Sequence, residues 1–389
     1  MWEKKLNFDL SDELRDLQTT CRRFVDQEVI PVEMTALEGP RLRTDLRETW
    51  ERKAKAMGFW ALDAPEELGG GGLGLLGMSI VWREMARTPG LPPRGPGIFG
   101  PECRLQHLGL KEDQVRRYLK PLVEGTKKTA FAQSEPQAGG DPGGMYTTAV
   151  RHGDIYKVNG VKHFISHAAD ADFVQLVAAS DRAKGSKGGL SVFLVDMDTP
   201  GIEITGQQAT MSGELTYEIT FSDVSVPAAN MVGVEGEGMA RAQTWLTAGR
   251  LYQASYCLGV AQRSLELAAS YANDRVTFGA PLATRQAVQF KLVDMFAELE
   301  VATAYLNRVA WHADQGTISR HEAMVCKTFC TELGFKAADA CMQIHGGMGL
   351  MADLPIHRMW MAARSFMITE GPVEVMRATL ARQVLKTYA

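Results

Sequence analysis

Glu370, in the run Met367-Ile-Thr-Glu-Gly-Pro-Val-Glu-Val375, sets a carboxylate beside a residue that has no side chain to obstruct a closely approaching ligand. That pairing suits a general base. Alone, a glutamate before Gly-Pro reads as a solvated turn residue, so its meaning depends on what else the chain supplies. Four other segments carry candidate binding chemistry: Ala130-Phe-Ala-Gln-Ser-Glu-Pro-Gln-Ala-Gly-Gly-Asp141, Lys162-His-Phe-Ile-Ser166, Asp274-Arg-Val-Thr-Phe-Gly279 and Gln343-Ile-His-Gly-Gly347. Read singly, the first is a polar turn and the second a half-buried strand. The third holds an arginine whose donor fork suits phosphate, and the fourth resembles a helix end.

Taken together and in this order, the five segments resemble the acyl-CoA dehydrogenase family of flavoenzymes over nearly the whole chain. The resemblance implies an α+β architecture: an N-terminal helical domain (1–125), a middle β-barrel or sandwich domain (126–235) and a C-terminal four-helix bundle (236–389). It implies FAD as cofactor and α,β-dehydrogenation of an acyl-CoA thioester to a trans-2-enoyl-CoA. Such a reaction needs a base at one carbon and a hydride acceptor at the other. Flavin N5 can take the hydride and a carboxylate the α-proton, whose acidity rises when the thioester oxygen is hydrogen-bonded. By resemblance Glu370 is that base. Its own backbone N–H and a ribityl hydroxyl of the flavin would hold the thioester oxygen, donors typically worth about 3 kcal/mol each.

The same resemblance assigns further residues. Phe131, Gln133 and Ser134 match isoalloxazine contacts, while Gly139 and Gly140 let the backbone approach ligand phosphate; Gly140 stands where the family has a serine. Phe164 and Ser166 match a Trp-x-Thr, in which the ring packs on the flavin and the hydroxyl addresses N5. Arg275, Thr277 and Phe278 match an Arg-x-Thr-Phe-Gly that reaches a neighbouring subunit's FAD, and Gln286, Gln343, Gly346 and Gly347 match diphosphate and adenosine contacts. On the substrate side, Arg250 matches a bundle arginine near the thioester, and Gly371 lies beside the base. Action across an interface implies an oligomer, which the family suggests is a dimer of dimers. An electron-transfer flavoprotein or similar carrier is the implied partner.

Departures from the family pattern are also visible. Glu-Gly-Pro replaces the frequent Glu-Gly-Thr, Thr369 stands for a tyrosine, and Met361-Ala362 replaces an Arg-Asp pair. In some members the base lies on a bundle helix. The matching position here is Gly249, which leaves Glu370 without a competitor.

These residues need elements to position them. Ser11 is a plausible N-cap for a helix reaching Ile30, where Pro31 closes or kinks it, and a second helix is expected from about Thr44 to Met57. Four glycines at 69–72 enforce a loop, and the Pro/Gly-rich stretch 88–101 predicts an irregular connection. After Thr126 the pattern becomes short strands: Asp154–Val158, Phe173–Val177, Leu190–Val195 and Tyr217–Phe221. Asn159-Gly160 signals a tight hairpin. Beyond Gly238 long helices return, including Gln286–His312, whose Leu292, Val293, Phe296, Leu299 and Leu306 supply a broad apolar stripe. Seven methionines between 342 and 376 crowd the catalytic end, where filling core gaps is their commonest use.

Bulk composition bounds the alternatives. With 389 residues, 45% hydrophobic and 23% charged, the chain can bury substantial cores. Lys+Arg 42 against Asp+Glu 46 gives a net charge of -4, which argues against nucleic acid or an anionic membrane as partner. Six scattered cysteines predict reduced, structural thiols and a cytoplasmic-type compartment, and no histidine spacing suggests a metal. The opening Met1–Leu10 lacks a long apolar core, so no signal or membrane span is expected. Two rival functions share the fold: a flavin oxidase or monooxygenase reoxidised by oxygen, and a non-catalytic nucleic-acid-binding flavoprotein.

Overall fold

The computed structural model describes residues 9–94 and 97–389; residues 1–8 of the opening segment, with Gly95 and Pro96 of the irregular connection, lie outside that range. Local signals explain where the first helices start and stop. Leu14 N–H donates to Ser11 Oγ at 3.4 Å, capping α1 (Asp12–Phe24). The helix expected to reach Ile30 does so as one continuous helical run, in which α1 passes into a π turn over Val25–Val29 and then a 3₁₀ turn over Ile30–Val32 that takes in Pro31. A two-stranded ribbon, β1 (Leu37–Glu38) with β2 (Arg41–Leu42), leads to α2 (Thr44–Ala56). The glycine loop then precedes α3 (Leu75–Met85), and short α4 (Glu112–Gln114) and α5 (Lys120–Glu124) flank a further π turn.

The middle of the chain is one mixed sheet of eight strands. These are β3 (Thr129–Ala132), β4 (Thr148–His152), β5 (Ile155–Ser166), β6 (Phe173–Ala179), β7 (Leu190–Asp196), β8 (Ile202–Ala209), β9 (Leu215–Pro227) and β10 (Met231–Val232). Their order is β10-β7-β6-β4-β5-β9-β8, with β3 running parallel to β6. Asn159-Gly160 makes no hairpin, contrary to the expectation. Both residues lie inside β5, where the register against β9 shifts between Val158 and Gly160. Asn159 Nδ2 donates to Asp223 Oδ1 at 3.0 Å, and Asp223 N–H donates back to Asn159 Oδ1 at 2.8 Å. Gly160 is required by crowding, because a Cβ there would come 2.5 Å from Thr147 Cα. The turn sits earlier, at Gly153-Asp154 between β4 and β5.

Three long helices follow: α6 (Gly238–Asp274), α7 (Gln286–Asp314) and α8 (Arg320–His345), with α9 (Ile356–Phe366) and α10 (Val373–Tyr388) returning along them. The ribbon of β11 (Val276–Thr277) and β12 (Ala280–Pro281) joins α6 to α7. A reciprocal cap starts α8, with Glu322 N–H donating to Ser319 Oγ and Ser319 N–H to Glu322 Oε2. The stripe expected on α7 is only partly inside. Leu299 and Leu306 are buried, but Val293 and Phe296 are 59% and 56% exposed. The helix turns a second apolar face outward.

One apolar core runs through residues of α1, α2 and α3 together with Tyr252, Tyr256, Cys257 and Val260 of α6, Ala338 of α8, and Met359 and Phe366 of α9. A second, purely helical core joins α6, α7 and α8. These two cores hold the α6 face and the α9–α10 connection in fixed relation.

Candidate active site

Between α9 and α10 the chain turns through Met367–Pro372. Glu370 adopts φ 53° and Gly371 φ 103°, both in the left-handed region. For a non-glycine residue that conformation costs on the order of 1–3 kcal/mol and persists only where surroundings over-determine it. Here they do. Val373 N–H donates to Met367 O at 3.0 Å, and Gln253 Nε2 donates to Thr369 Oγ1 at 2.9 Å. Lys327 Nζ donates to Thr369 O at 3.0 Å and Gly371 O at 2.6 Å. Three of the six non-glycine residues with positive φ among the described residues are Glu370, Phe164 and Phe278, all selected from sequence.

The Glu370 side chain is 18% exposed and points into the molecule. Its Oε1 accepts from Arg104 Nη1 at 3.0 Å, while Oε2 is buried without a partner among the described residues. Arg104 also donates through Nε and Nη2 to Glu102 Oε2, and its guanidinium lies 4.2 Å over the Trp245 ring. Burial opposes the Arg104 charge, but Glu102 and Glu370 outweigh it and raise its pKa. Across from the carboxylate is Gly249, where a Cβ would stand 1.9 Å from Glu370 Oε2. The absence of a side chain at 249 is what admits Glu370. Arg250 is buried beside the loop, 3.9 Å from the Cβ position of Gly371, and donates to Gln243 Oε1 at 3.3 Å. Burial lowers its pKa to about 10 against the pull of Glu370.

The first two candidate cofactor segments converge on the same side. Phe131, on β3, stacks on Trp245 of α6 at 3.9 Å and 12°. His163 N–H donates to Ser134 O at 2.9 Å, and Lys162 Nζ donates to Gln133 O at 3.0 Å and Glu135 Oε1 at 2.8 Å. Glu135 also accepts from the Tyr146 and Thr147 N–H groups, so a buried ion pair fixes the loop that carries Gln133 and Ser134. Burial pushes the Lys162 amine down to about 8, with Glu135 opposing. Phe164 is 63% exposed and stacks on His163 at 4.0 Å; Ser166 ends the same strand. Gly139 has open space around its Cβ position, and that of Gly140 lies 3.3 Å from Val375, five residues beyond Glu370.

The other predicted residues form a separate group. Arg275, Thr277 and Phe278 occupy the β11–β12 ribbon, Gln286 starts α7, and Gln343, Gly346 and Gly347 end α8. Helix ends bring them together through a core containing Ala272, Cys341 and Ile344, against which Leu282 and Val288 pack. From Lys327 to Gln343 is 16 residues along α8, roughly 24 Å at 1.5 Å per residue. Phe278 projects, 99% exposed. Within one chain this group does not reach the Glu370 loop.

Sequence reading missed Arg104 and Lys327. Each meets the loop only through folding, at separations of 266 and 42–44 residues, and neither sits in a local pattern. A cavity of about 540 Å³ opens nearby, touching Gln243, Thr247 and Ala248 of α6, Asp314 and Arg320. No group of three or more His, Cys, Asp or Glu that could hold a metal occurs among the described residues. Nor is any described helix long and apolar enough to cross a membrane. All six cysteines are free and buried, and burial raises the thiols of Cys21, Cys103, Cys257 and Cys341.

With a helix–sheet–helix fold and relatives that are acyl-CoA dehydrogenases, the chain is an oxidoreductase that acts on acyl-CoA. The family models for the N-terminal, middle and C-terminal domains of acyl-CoA dehydrogenases match residues 11–126, 130–224 and 236–385, and the chain belongs to that family. It is 33% identical to a probable acyl-CoA dehydrogenase, YngJ, of Bacillus subtilis (strain 168), over 98% of this chain and 100% of the relative. It is 35% identical to CarC, a caffeyl-CoA reductase-Etf complex subunit of Acetobacterium woodii, over 87% and 90%. Among solved structures, butyryl-CoA dehydrogenase from Megasphaera elsdenii superposes with a TM-score of 0.86 at 28% identity, covering 98% and 100%.

Proposed function

We propose that the protein carries out FAD-dependent α,β-dehydrogenation of an acyl-CoA thioester to the trans-2-enoyl-CoA, with Glu370 as the base. The observation that carries this reading is the Glu370 carboxylate, inward-facing in a left-handed loop with one oxygen unpartnered, on the side where the first two cofactor segments converge. Bound FAD supplies the hydride acceptor. The residues fit such a group. Phe131, Gln133, Ser134 and Gly139 form one edge of the proposed flavin site, and Phe164 and Ser166 a second. Gln133 Oε1, His163 Nε2 and Trp245 Nε1 are buried there without protein partners, the pattern expected where a polar ligand completes the set.

Glu370 takes the α-proton, and its backbone N–H donates to the thioester oxygen as charge develops there. Gly371 and Gly140 keep the approach open, and Arg250 places positive charge beside the loop. The cavity bordering Thr247 and Ala248 is a suitable size for part of the thioester's arm. Arg275, Thr277, Phe278, Gln286, Gln343, Gly346 and Gly347 serve a flavin held mainly by another copy, which supports the dimer of dimers. The Etf complex to which the CarC relative belongs supports an electron-transfer flavoprotein as acceptor.

The test is anaerobic bleaching of the purified yellow protein by a panel of acyl-CoA esters. Glu370→Gln retains flavin and slows bleaching by about 10²-fold or more. Near-normal bleaching in that variant would assign the proton to another base. Rapid peroxide formation on admitting air would favour the oxidase alternative.

A further inference from the structure

Lys327 is a fully buried cation on α8 that spends its donors on the backbone either side of Glu370. Among the described residues no carboxylate stands within ion-pair distance of it. In a trans peptide the C=O and the following N–H point in opposite directions. Drawing the Thr369 carbonyl onto Nζ therefore sends the Glu370 N–H away from α8. That N–H has no acceptor among the described residues. The second clamp acts differently. The peptide held at Gly371 O has the proline nitrogen of Pro372 on its other side, which carries no hydrogen. Fixing both carbonyls thus orients one donor at this turn and introduces no competing one.

We propose that Lys327 is a positioning residue that aims the Glu370 backbone N–H at the substrate's thioester oxygen by holding the Thr369 and Gly371 carbonyls on the opposite side of the loop. The inference rests on the proposed dehydrogenation and adds the residue that sets its oxyanion geometry. It also gives Glu-Gly-Pro a physical sense. Where a residue with an N–H follows the glycine, the second clamped peptide has a donor of its own; with Pro372 it has none. The left-handed φ of Glu370 is part of the same device, since the clamp grips both neighbours of the strained residue. Around Nζ stand Glu370 and Glu374 from the loop and α10, and Arg250 and Cys257 from α6. Burial lowers the amine to about 8. A neutral amine retains two hydrogens, enough for both carbonyls.

The experiment compares the wild-type holoenzyme with Lys327→Met, which fills similar volume without donors. Infrared difference spectra are recorded with a trans-2-enoyl-CoA carrying a ¹³C label at the thioester carbonyl. This probe has no α,β-hydrogens left to remove, so the carbonyl stretch reads donor geometry without turnover. In wild type the bound stretch falls below its value in water. In Lys327→Met at least about half of that downshift disappears, and bleaching at saturating acyl-CoA slows by about 10²-fold, the scale of losing one oxyanion donor. Flavin content stays unchanged, and thioester affinity changes far less than rate. A full wild-type downshift in Lys327→Met overturns the proposal. Should that variant lose flavin, Lys327→Leu, which also lacks donors, is read by the same shift. A wild-type shift there, or flavin loss from both variants, overturns the proposal in favour of a folding role. If no acyl-CoA bleaches the wild-type flavin, the dehydrogenation reading fails separately, because the carbonyl shift needs no turnover.

Discussion

At the residue scale, the site depends on what is missing at 249 as much as on what is present at 370. A methyl group at Gly249 would stand 1.9 Å from Glu370 Oε2 and 2.4 Å from Arg104 Nη1, too close for either to remain. Gly249→Ala is expected to lower kcat by about 10²-fold, since a displacement near 1 Å costs that much at a reacting centre. Overpacking would remove about 1–3 kcal/mol of stability. Stopped-flow bleaching and denaturant unfolding measure the two effects, and wild-type bleaching in that variant would show that this Glu370 pose is not the reactive one. Glu370 was singled out only because four other segments in the same order carry the family resemblance; alone, a glutamate before Gly-Pro reads as a turn residue. Arg104 and Lys327 were not, because an arginine or lysine becomes a partner of this loop only when distant helices pack. Nothing in their immediate neighbours encodes that encounter.

At the element scale, boundaries governed by local chemistry were readable: the Ser11 cap, the start and near-end of α2, the start of α7 and the strand-rich middle. Readings failed where a neighbour reused a local signal. Asn159-Gly160 has turn chemistry, yet β9 captures the asparagine amide and Thr147 crowds the glycine, keeping both in a strand. The link between β5 and the loop before β4 also depends on a distant pair, Lys162 with Glu135. Lys162→Met strands a buried carboxylate and is expected to cost about 3–5 kcal/mol. Flavin retention should weaken with it, because the Gln133 carbonyl and the Ser134 loop lose their anchor. Adding Glu135→Gln should recover part of the stability. Thermal unfolding and flavin release on dilution check both effects, and unchanged flavin release in Lys162→Met would detach the pair from cofactor binding.

At the scale of the whole molecule, one group of candidate cofactor residues lies on β3, β5 and the adjoining loop, a second lies where α6 and α8 end and α7 begins, and an apolar face of α7 points outward. Phe290, Val293, Phe296 and Val301 are all more than half exposed, as is Phe278 on the ribbon. In the proposed dimer of dimers such a face would lie between copies, and sequence periodicity does not distinguish an interface stripe from a core stripe because both are apolar. Replacing Val293 and Phe296 together with Glu is expected to reduce the particle mass in light scattering and to loosen FAD, as the second group loses its partner copy. A variant that keeps the assembly and its flavin would move the interface elsewhere.

The early helices and the late ones share a single apolar core, and the Asp314 carboxylate caps the start of α3 by accepting from Leu75 N–H and Leu76 N–H. Leu75 and Asp314 are separated by 239 positions, so a growing chain translated at about 5–20 residues per second holds the first three helices unfinished for roughly 12–48 s. Fragments ending before α9 should therefore be aggregation-prone rather than independently folded.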